Sequence, residues 1–123
     1  MAESPGPPKL VRRAQIKANT RIRLLDATID VIAAKGFADT TLAEVGRRAG
    51  MSRGIVNFHF ASKERLMVAT LRHLADEYAL RLEKALGRAG PDPARRLGAM
   101  IAIEFHPRLC TRRKILTWRA FWA

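Results

Sequence analysis

Residues 41–65 read TLAEVGRRAGMSRGIVNFHFASKER, two short helices joined through a glycine. Thr41-Leu-Ala-Glu44 has the spacing of a capping box, with Thr41 as N-cap and Glu44 reaching back to the N-cap backbone N–H. It predicts a short helix to about Ala49 that buries Leu42, Val45 and Ala49. Gly50 breaks that helix, and Ser52 caps a second one running from Arg53 to about His59. Two helices so short and so tightly joined cross closely, which requires a small residue at the crossing point. Gly46 supplies it, and Gly50, four residues on, accepts the positive φ that the turn needs. A glycine inside a helix costs roughly 1 kcal/mol against alanine, so close backbone approach explains Gly46 better than a plain helical corner does. Val56 anchors the inner face of the second helix, while Arg53 and Asn57, four apart, share its outer face. The arrangement is a helix-turn-helix over about residues 41–60, whose second helix docks into the major groove of duplex DNA.

Outward from the motif the chain reads as helix throughout, so the fold class is all-α. Before it, Ile22, Leu25, Ile29 and Ile32 recur at steps of three and four, predicting a helix from about Asn19 to Ala34 that Lys35-Gly36 ends. After it, Ser62 caps a long helix that places Leu66, Leu71, Leu74, Tyr78 and Leu82 inward and stops at Gly87. Asp92 and Pro93 restart a helix, with Leu97, Ile101 and Phe105 as its apolar face. His106-Pro107 interrupts, and a last helix carries Ile115, Trp118 and Trp122. The domain reading is a disordered basic tail over residues 1–16, a DNA-binding domain over 17–65, and a partial helical domain over 66–123.

Charge points the same way as the motif. The chain of 123 residues carries a formal net charge of +12, which implies a polyanionic partner, nucleic acid or an anionic membrane surface. The two halves, residues 1–65 and 66–123, are equally basic, so local runs say more than the total. Lys9, Arg12, Arg13, Lys17, Arg21 and Arg23 follow one another with no acidic residue between them, and add minor-groove or phosphate contacts as a working hypothesis. The single cysteine, Cys110, makes no intramolecular disulfide and reads as a small buried residue. With no apolar leader and no run approaching the roughly 18 apolar residues of a membrane span, the expected location is the bacterial cytoplasm, on the nucleoid. No nucleophile–base pair, phosphate-cradling glycine loop or metal-spaced cluster is present, so neither an enzyme, a metal site nor a cofactor is expected. His73 and His106 lack nearby carboxylate or cysteine partners in sequence.

Residues 41–65 also closely resemble the DNA-binding domain of the TetR family of repressors. The family pairs its helix-turn-helix with a following aromatic-x-F-x-x-K-acid segment, here Phe58-His59-Phe60-Ala61-Ser62-Lys63-Glu64. The likeness extends over about residues 17–80 and includes Lys35-Gly36-Phe37. Within the family the chain is most similar to the BetI-like subgroup, choline-responsive repressors of betaine synthesis. The grounds are Pro8-Lys9-Leu10, Gly54-Ile55-Val56, Ala69-Thr70-Leu71-Arg72-His73 and the terminal Trp118-Arg119-Ala120-Phe121-Trp122-Ala123.

The resemblance implies a ligand-responsive transcriptional repressor on double-stranded DNA with a palindromic operator. It also implies roles by position. Thr41 contacts phosphate from a helix N-terminus, and Arg53 is placed for a bidentate contact to guanine. Gly54 lets the recognition helix approach the groove. Asn57 stands where the family often has tyrosine, and contacts either phosphate or an adenine edge. Phe58 opens the signature segment, and His59 and Lys63 map to positions that contact the DNA backbone. Residues 66–123 resemble only the opening helices of the family's ligand-binding and dimerisation domain. A homodimer is the family's expectation, yet the final dimerisation helices have no counterpart, so the chain reads as a truncated regulator or one without those dimer contacts. Tyr78, Trp118, Phe121 and Trp122 are candidates for an aromatic cage around a quaternary ammonium effector such as choline, although aromatics at helical spacing also read as core. The alternative to a sequence-specific repressor is a non-specific, nucleoid-like nucleic-acid-binding protein.

Overall fold

A computed structural model describes residues 3–6 and 8–123, and those residues form six helices and no strand. They are α1 (Lys9–Lys35), α2 (Leu42–Ala49), α3 (Arg53–His59), α4 (Lys63–Ala89), α5 (Pro93–Ile103) and α6 (Arg112–Trp122). Local chemistry sets most of the boundaries. Thr41, Ser52, Ser62, Asp92 and Thr111 each accept a hydrogen bond from a backbone N–H in the first turn of the helix that follows. The Glu44 carboxylate turns to Lys35 and Arg47 instead of the N-cap, so only the Thr41 half of the capping box is in place.

The core lies where α1, α2, α3 and the start of α4 converge. Leu24, Leu25, Ala27 and Val31 of α1 meet Val45, Val56, Phe60 and Leu66 there. Val45, Val56 and Leu66 are fully buried, and each such side chain contributes on the order of 1.5–3 kcal/mol. Thr28 and Thr70 are buried too, and each hydroxyl donates to the carbonyl four residues back, so neither leaves a polar group unmatched. α4 carries the chain away from this core, α5 packs along α4, and α6 returns to lie against α1. There the buried Thr117 hydroxyl donates to the Ile29 carbonyl at 3.2 Å.

Several expectations are corrected. Residues 9–16 are not a disordered tail: α1 begins at Lys9, because a run free of Gly and Pro extends a helix already nucleated by its buried half. Residues 3–6 and Pro8 have no regular structure, and the rest of that tail assignment (Met1, Ala2 and Pro7) lies outside the described residues. Ile22 is half exposed, off the buried stripe that Leu25, Ile29 and Ile32 form with Leu24. α4 does not stop at Gly87: an isolated glycine weakens a helix without ending it, and termination waits for Gly90, whose φ of 74° no other residue adopts cheaply. Leu97, Ile101 and Phe105 are exposed, since α5 meets α4 through Ile103. Ile115 and Trp122 are likewise exposed, and so is Cys110.

Candidate nucleic-acid interface

The crossing of α2 and α3 leaves no room for a side chain at Gly46. A Cβ there would stand 3.0 Å from Val56 Cγ2 and 3.1 Å from the Met51 carbonyl oxygen. Gly50 takes the left-handed conformation, φ 69°, and the Met51 N–H donates to the Gly46 carbonyl at 2.8 Å to close the turn. Val56 is buried beneath α3, so the opposite side of that helix faces outward. Arg53, Gly54, Asn57 and Phe58 are all exposed on it, and the exposed Thr41 sits at the N-terminus of α2. Arg53 and Asn57 have no intramolecular side-chain hydrogen bond or ion pair among the described residues, so both are available to base edges.

The extension of α1 lies beside this surface. The Lys17 ammonium sits 5.3 Å from the Phe58 ring centroid, and the Arg21 guanidinium 4.7 Å from that of Phe60. Arg13, Ile16, Lys17 and Thr20 share a shallow groove with Ser52, Gly54, Ile55 and Phe58 of the α3 segment. The cations Lys9, Arg12, Arg13, Lys17 and Arg21 are all exposed along it. The charge run was visible in the sequence; its continuation of a rigid helix beside α3 was not, because no apolar periodicity marks those residues.

The remaining DNA-binding candidates sit differently. His59 is half-buried between the Phe58 and Phe60 rings. Burial first, then the charges of Lys17 and Arg21, hold its pKa below the ordinary histidine value, so it is neutral at pH 7. Lys63 donates through Nζ to the Ala38 carbonyl at 3.1 Å, tying the start of α4 to the α1–α2 connection. That bond gives Lys63 a structural purpose which the sequence does not disclose, since its partner is 25 residues away.

A second set of candidates gathers between α4 and α6. Tyr78, Trp118 and Trp122 line one cavity of about 510 Å³, together with Glu77, Glu104 and Lys114. The Tyr78 hydroxyl donates to Glu104, whose negative charge keeps the phenol protonated and raises its pKa. Lys114 is taken by Glu77 at 2.6 Å and by the Arg108 carbonyl, which leaves the Glu104 charge uncompensated in the cavity wall. Phe121 does not join this set. It shares with Thr117 the face of α6 that packs on α1, and its ring meets Phe37 edge-on at 4.5 Å.

α6 is also tied electrostatically to α1 and, through it, to α2. Arg113 pairs with Asp26 and Asp30 of α1, and Asp30 in turn holds Arg48 of α2 at 3.1 Å. Those carboxylates raise the Arg113 pKa against the opposing effect of burial. Among the described residues no group of three His, Cys, Asp or Glu is placed to hold a metal ion, and no helix is long and apolar enough to cross a membrane.

Residues 24–70 match the model of the tetR family of bacterial regulatory proteins. The chain is 37% identical over 103 residues to the HTH-type transcriptional regulator BetI of Paraburkholderia xenovorans, a match covering 84% of this chain and 53% of the relative. It is also 37% identical over 107 residues to the BetI regulator of Serratia proteamaculans, covering 84% and 52%. The chain thus spans about half the length of the curated relatives it matches. Among solved structures, a transcriptional regulator from Rhodococcus sp. Rha1 superposes with a TM-score of 0.70 at 35% identity, over 83% of this chain and 54% of that one. NalD, the secondary repressor of the MexAB-OprM multidrug efflux pump in Pseudomonas aeruginosa, superposes with a TM-score of 0.60 at 25% identity, over 87% and 52%.

Proposed function

We propose that the chain, whose residues 24–70 match the model of the tetR family of bacterial regulatory proteins, is a member of that family and a sequence-specific, ligand-responsive repressor of transcription. One observation carries the reading. The Gly46–Val56 crossing buries one side of α3 and leaves Arg53 and Asn57 exposed and unpaired on the other, beside the basic α1 extension. Arg53 reads a guanine through its two-pronged guanidinium, and Asn57 reads an adenine edge or a phosphate. Thr41, Gly54, Phe58 and His59 set the approach to the DNA backbone. Lys63 reaches phosphate only by giving up its bond to the Ala38 carbonyl, so its part is smaller. The protein acts without catalysis, in the cytoplasm, on a palindromic operator. Two copies are needed to read half-sites about 34–36 Å apart.

The cavity between α4 and α6 is the site of the effector. Its aromatic faces, Tyr78, Trp118 and Trp122, and the unpaired Glu104 charge suit a quaternary ammonium ion such as choline. An ion seated there presses on α6, and the Arg113–Asp30–Arg48 chain carries the shift to α2. The effector then changes DNA affinity only as far as it prefers one placement of α6 over the other.

Selection from a duplex library, followed by anisotropy titrations of the selected site, tests the DNA reading. Enrichment of one palindrome is expected, with Arg53→Ala losing roughly 1–3 kcal/mol of discrimination at a single base pair. Equal affinity for every duplex, at a Kd on the order of 10⁻⁴ to 10⁻⁶ M, would establish a non-specific binder instead. Quenching of tryptophan fluorescence by choline, absent in Trp118→Leu, tests the effector site separately.

A further inference from the structure

α4 and α5 flank a second, open cavity of about 540 Å³, which shares no residue with the aromatic one. Its polar lining is entirely basic: Arg81, Lys84 and Arg88 on α4, and His106 just after α5. The rest is small and apolar, Ala85, Ala89, Ala99, Ala102 and Ile103 among them. Among the described residues no carboxylate lines it.

The hydrogen-bond donors at its wall lack acceptors. The Arg108 backbone N–H donates to His106 Nδ1 at 3.1 Å, which fixes the neutral tautomer with its proton on Nε2. Arg81 Nη1 stands 3.4 Å from that same Nε2. Both atoms are donors, so the approach is not a hydrogen bond, and the two N–H groups together call for one shared acceptor. Arg81 Nε is buried and has no hydrogen-bond partner. Glu77 Oε1 forms an ion pair with it at 3.7 Å, beyond hydrogen-bond reach, while Glu77 Oε2 holds Lys114. The ion pair with Glu77 balances the Arg81 charge at a distance, but it leaves the guanidinium without a hydrogen-bond acceptor, which an anion in the cavity supplies.

We infer that the α4–α5 cavity binds a small amphiphilic carboxylate, its head group between Arg81 and His106 and its apolar body against the alanine-lined walls. The head accepts from Arg81 and from His106 Nε2, while Lys84 and Arg88 supply longer-range attraction. Walls of alanine leave space for a short aliphatic or aromatic body, and the volume falls within the roughly 300–1,000 Å³ of small-molecule sites. This is the reverse of the aromatic cavity, whose uncompensated charge is negative, so the two sites select ligands of opposite sign. The inference stands whether or not the aromatic cavity takes a cation and whether or not α3 reads DNA.

Calorimetric titration of the purified chain with octanoate is the test, with inorganic phosphate and octylammonium as matched probes. Octanoate is expected to bind one to one, and the other two to give no saturable heat. Arg81→Met weakens octanoate by about tenfold or more, as expected when a charge-assisted hydrogen bond is removed. Arg95→Met, which removes the same charge from the outside of α5, changes it by less than about twofold because exposed charges are screened. Ala102→Phe fills the cavity and abolishes binding with every cation in place, so the test survives if Arg81→Met fails to give a wild-type helical circular dichroism spectrum. Duplex affinity of the same variants without octanoate keeps this outcome separate from that of the DNA reading. Equal weakening by Arg81→Met and Arg95→Met, undiminished binding in Ala102→Phe, phosphate binding as tightly as octanoate, or no saturable heat from octanoate at millimolar concentration would each overturn the inference.

Discussion

Two residues set the proposed DNA-reading surface in opposite ways, one by what it lacks and one by what it withholds. Gly46 lacks a Cβ, and the atoms that a Cβ would meet are the Val56 side chain at 3.0 Å and a backbone oxygen at 3.1 Å. Alanine gains about 1 kcal/mol of helix propensity there, but forcing the crossing apart costs about 1–3 kcal/mol. Gly46→Ala is therefore expected to lower the urea midpoint while leaving the slope unchanged; a higher midpoint would mean that the α2–α3 crossing is looser than its geometry shows. His59 withholds a proton. Its pKa is depressed in the folded chain by burial and by Lys17 and Arg21, so the unfolded chain takes up the proton first as pH falls through about 6.5. Stability is then lost below that value and levels off beneath the folded-state pKa. On the proposed DNA reading, duplex phosphate is expected to have the opposite effect, screening both cations and offering an acceptor, so that His59 takes up a proton on binding and affinity rises as pH falls. His59→Gln should flatten both profiles, read by thermal melts and by anisotropy across pH 5.5 to 8, a window set about the ordinary histidine value. What was legible at this scale was local. Thr41, Ser52 and Ser62 cap helices whose N–H groups lie three residues away, and Gly50 turns on its own dihedral angles. The partners of Lys63 and Phe121 lie far along the chain, and no spacing rule reaches them.

The helices show the same division between what periodicity reports and what it cannot. α2 and α3 stand where capping and glycine placed them, because each is bounded by residues that act on their own neighbours. α1 is longer than its periodicity suggests, since Lys9 to Ala18 bury nothing: Leu10 is 78% exposed and Ile16 57%. The extension is also unfavourably charged. Lys9, Arg12 and Arg13 occupy the positive end of the helix dipole with no acidic residue in the first turn and no side-chain cap. A helix end of that composition is better suited to meeting an anion than to stabilising itself. Replacing Lys9, Arg12 and Arg13 together with glutamine is accordingly expected to leave helicity equal or higher while weakening duplex binding. The slope of log affinity against log salt should fall by up to about 0.9 for each phosphate left unneutralised, and the preferred duplex should not change. A changed base preference would instead put the arm in a groove as a reader of sequence. The ends of α4 and α5 escape a local reading for a different reason. Gly87 looks like a stop when only its neighbours are considered, but packing of α5 along α4 holds the helix through it to Ala89. The same packing runs through Ile103 and leaves Leu97, Ile101 and Phe105 outside, a choice of face that the apolar pattern of α5 left open.

Across the whole molecule, charge has two opposed consequences. The chain holds 23 Lys and Arg against 11 Asp and Glu. Asp26, Asp30, Glu44 and Glu77 are already gathered into ion pairs between or along the helices. Those pairs are partly exposed: Arg113 and Asp30, which join α6 to α1, keep 35% and 26% of their side-chain surface in water. Pairs of that kind contribute about 0.2–1 kcal/mol each and weaken with salt. The surplus cations repel one another over distances comparable to the roughly 10 Å Debye length at 0.1 M salt, and compaction makes that repulsion worse. Added salt therefore screens a small number of favourable pairs and a larger excess of unfavourable ones. The melting midpoint is expected to rise between about 0.05 and 0.5 M sodium chloride, over which the Debye length falls below 10 Å. Duplex affinity should fall steeply over the same range as counterion release loses its advantage. The two expected trends have opposite signs because they share one cause, an unneutralised positive surface that the proposed DNA partner would complete and that the folded chain alone tolerates. A midpoint that falls with salt would mean that the Asp26, Asp30 and Glu77 pairs outweigh the net charge. In that case Asp30→Asn, which removes the Arg48 pair and one of the two carboxylates that hold Arg113, should weaken the salt dependence, with the Asp26 and Glu77 pairs left in place.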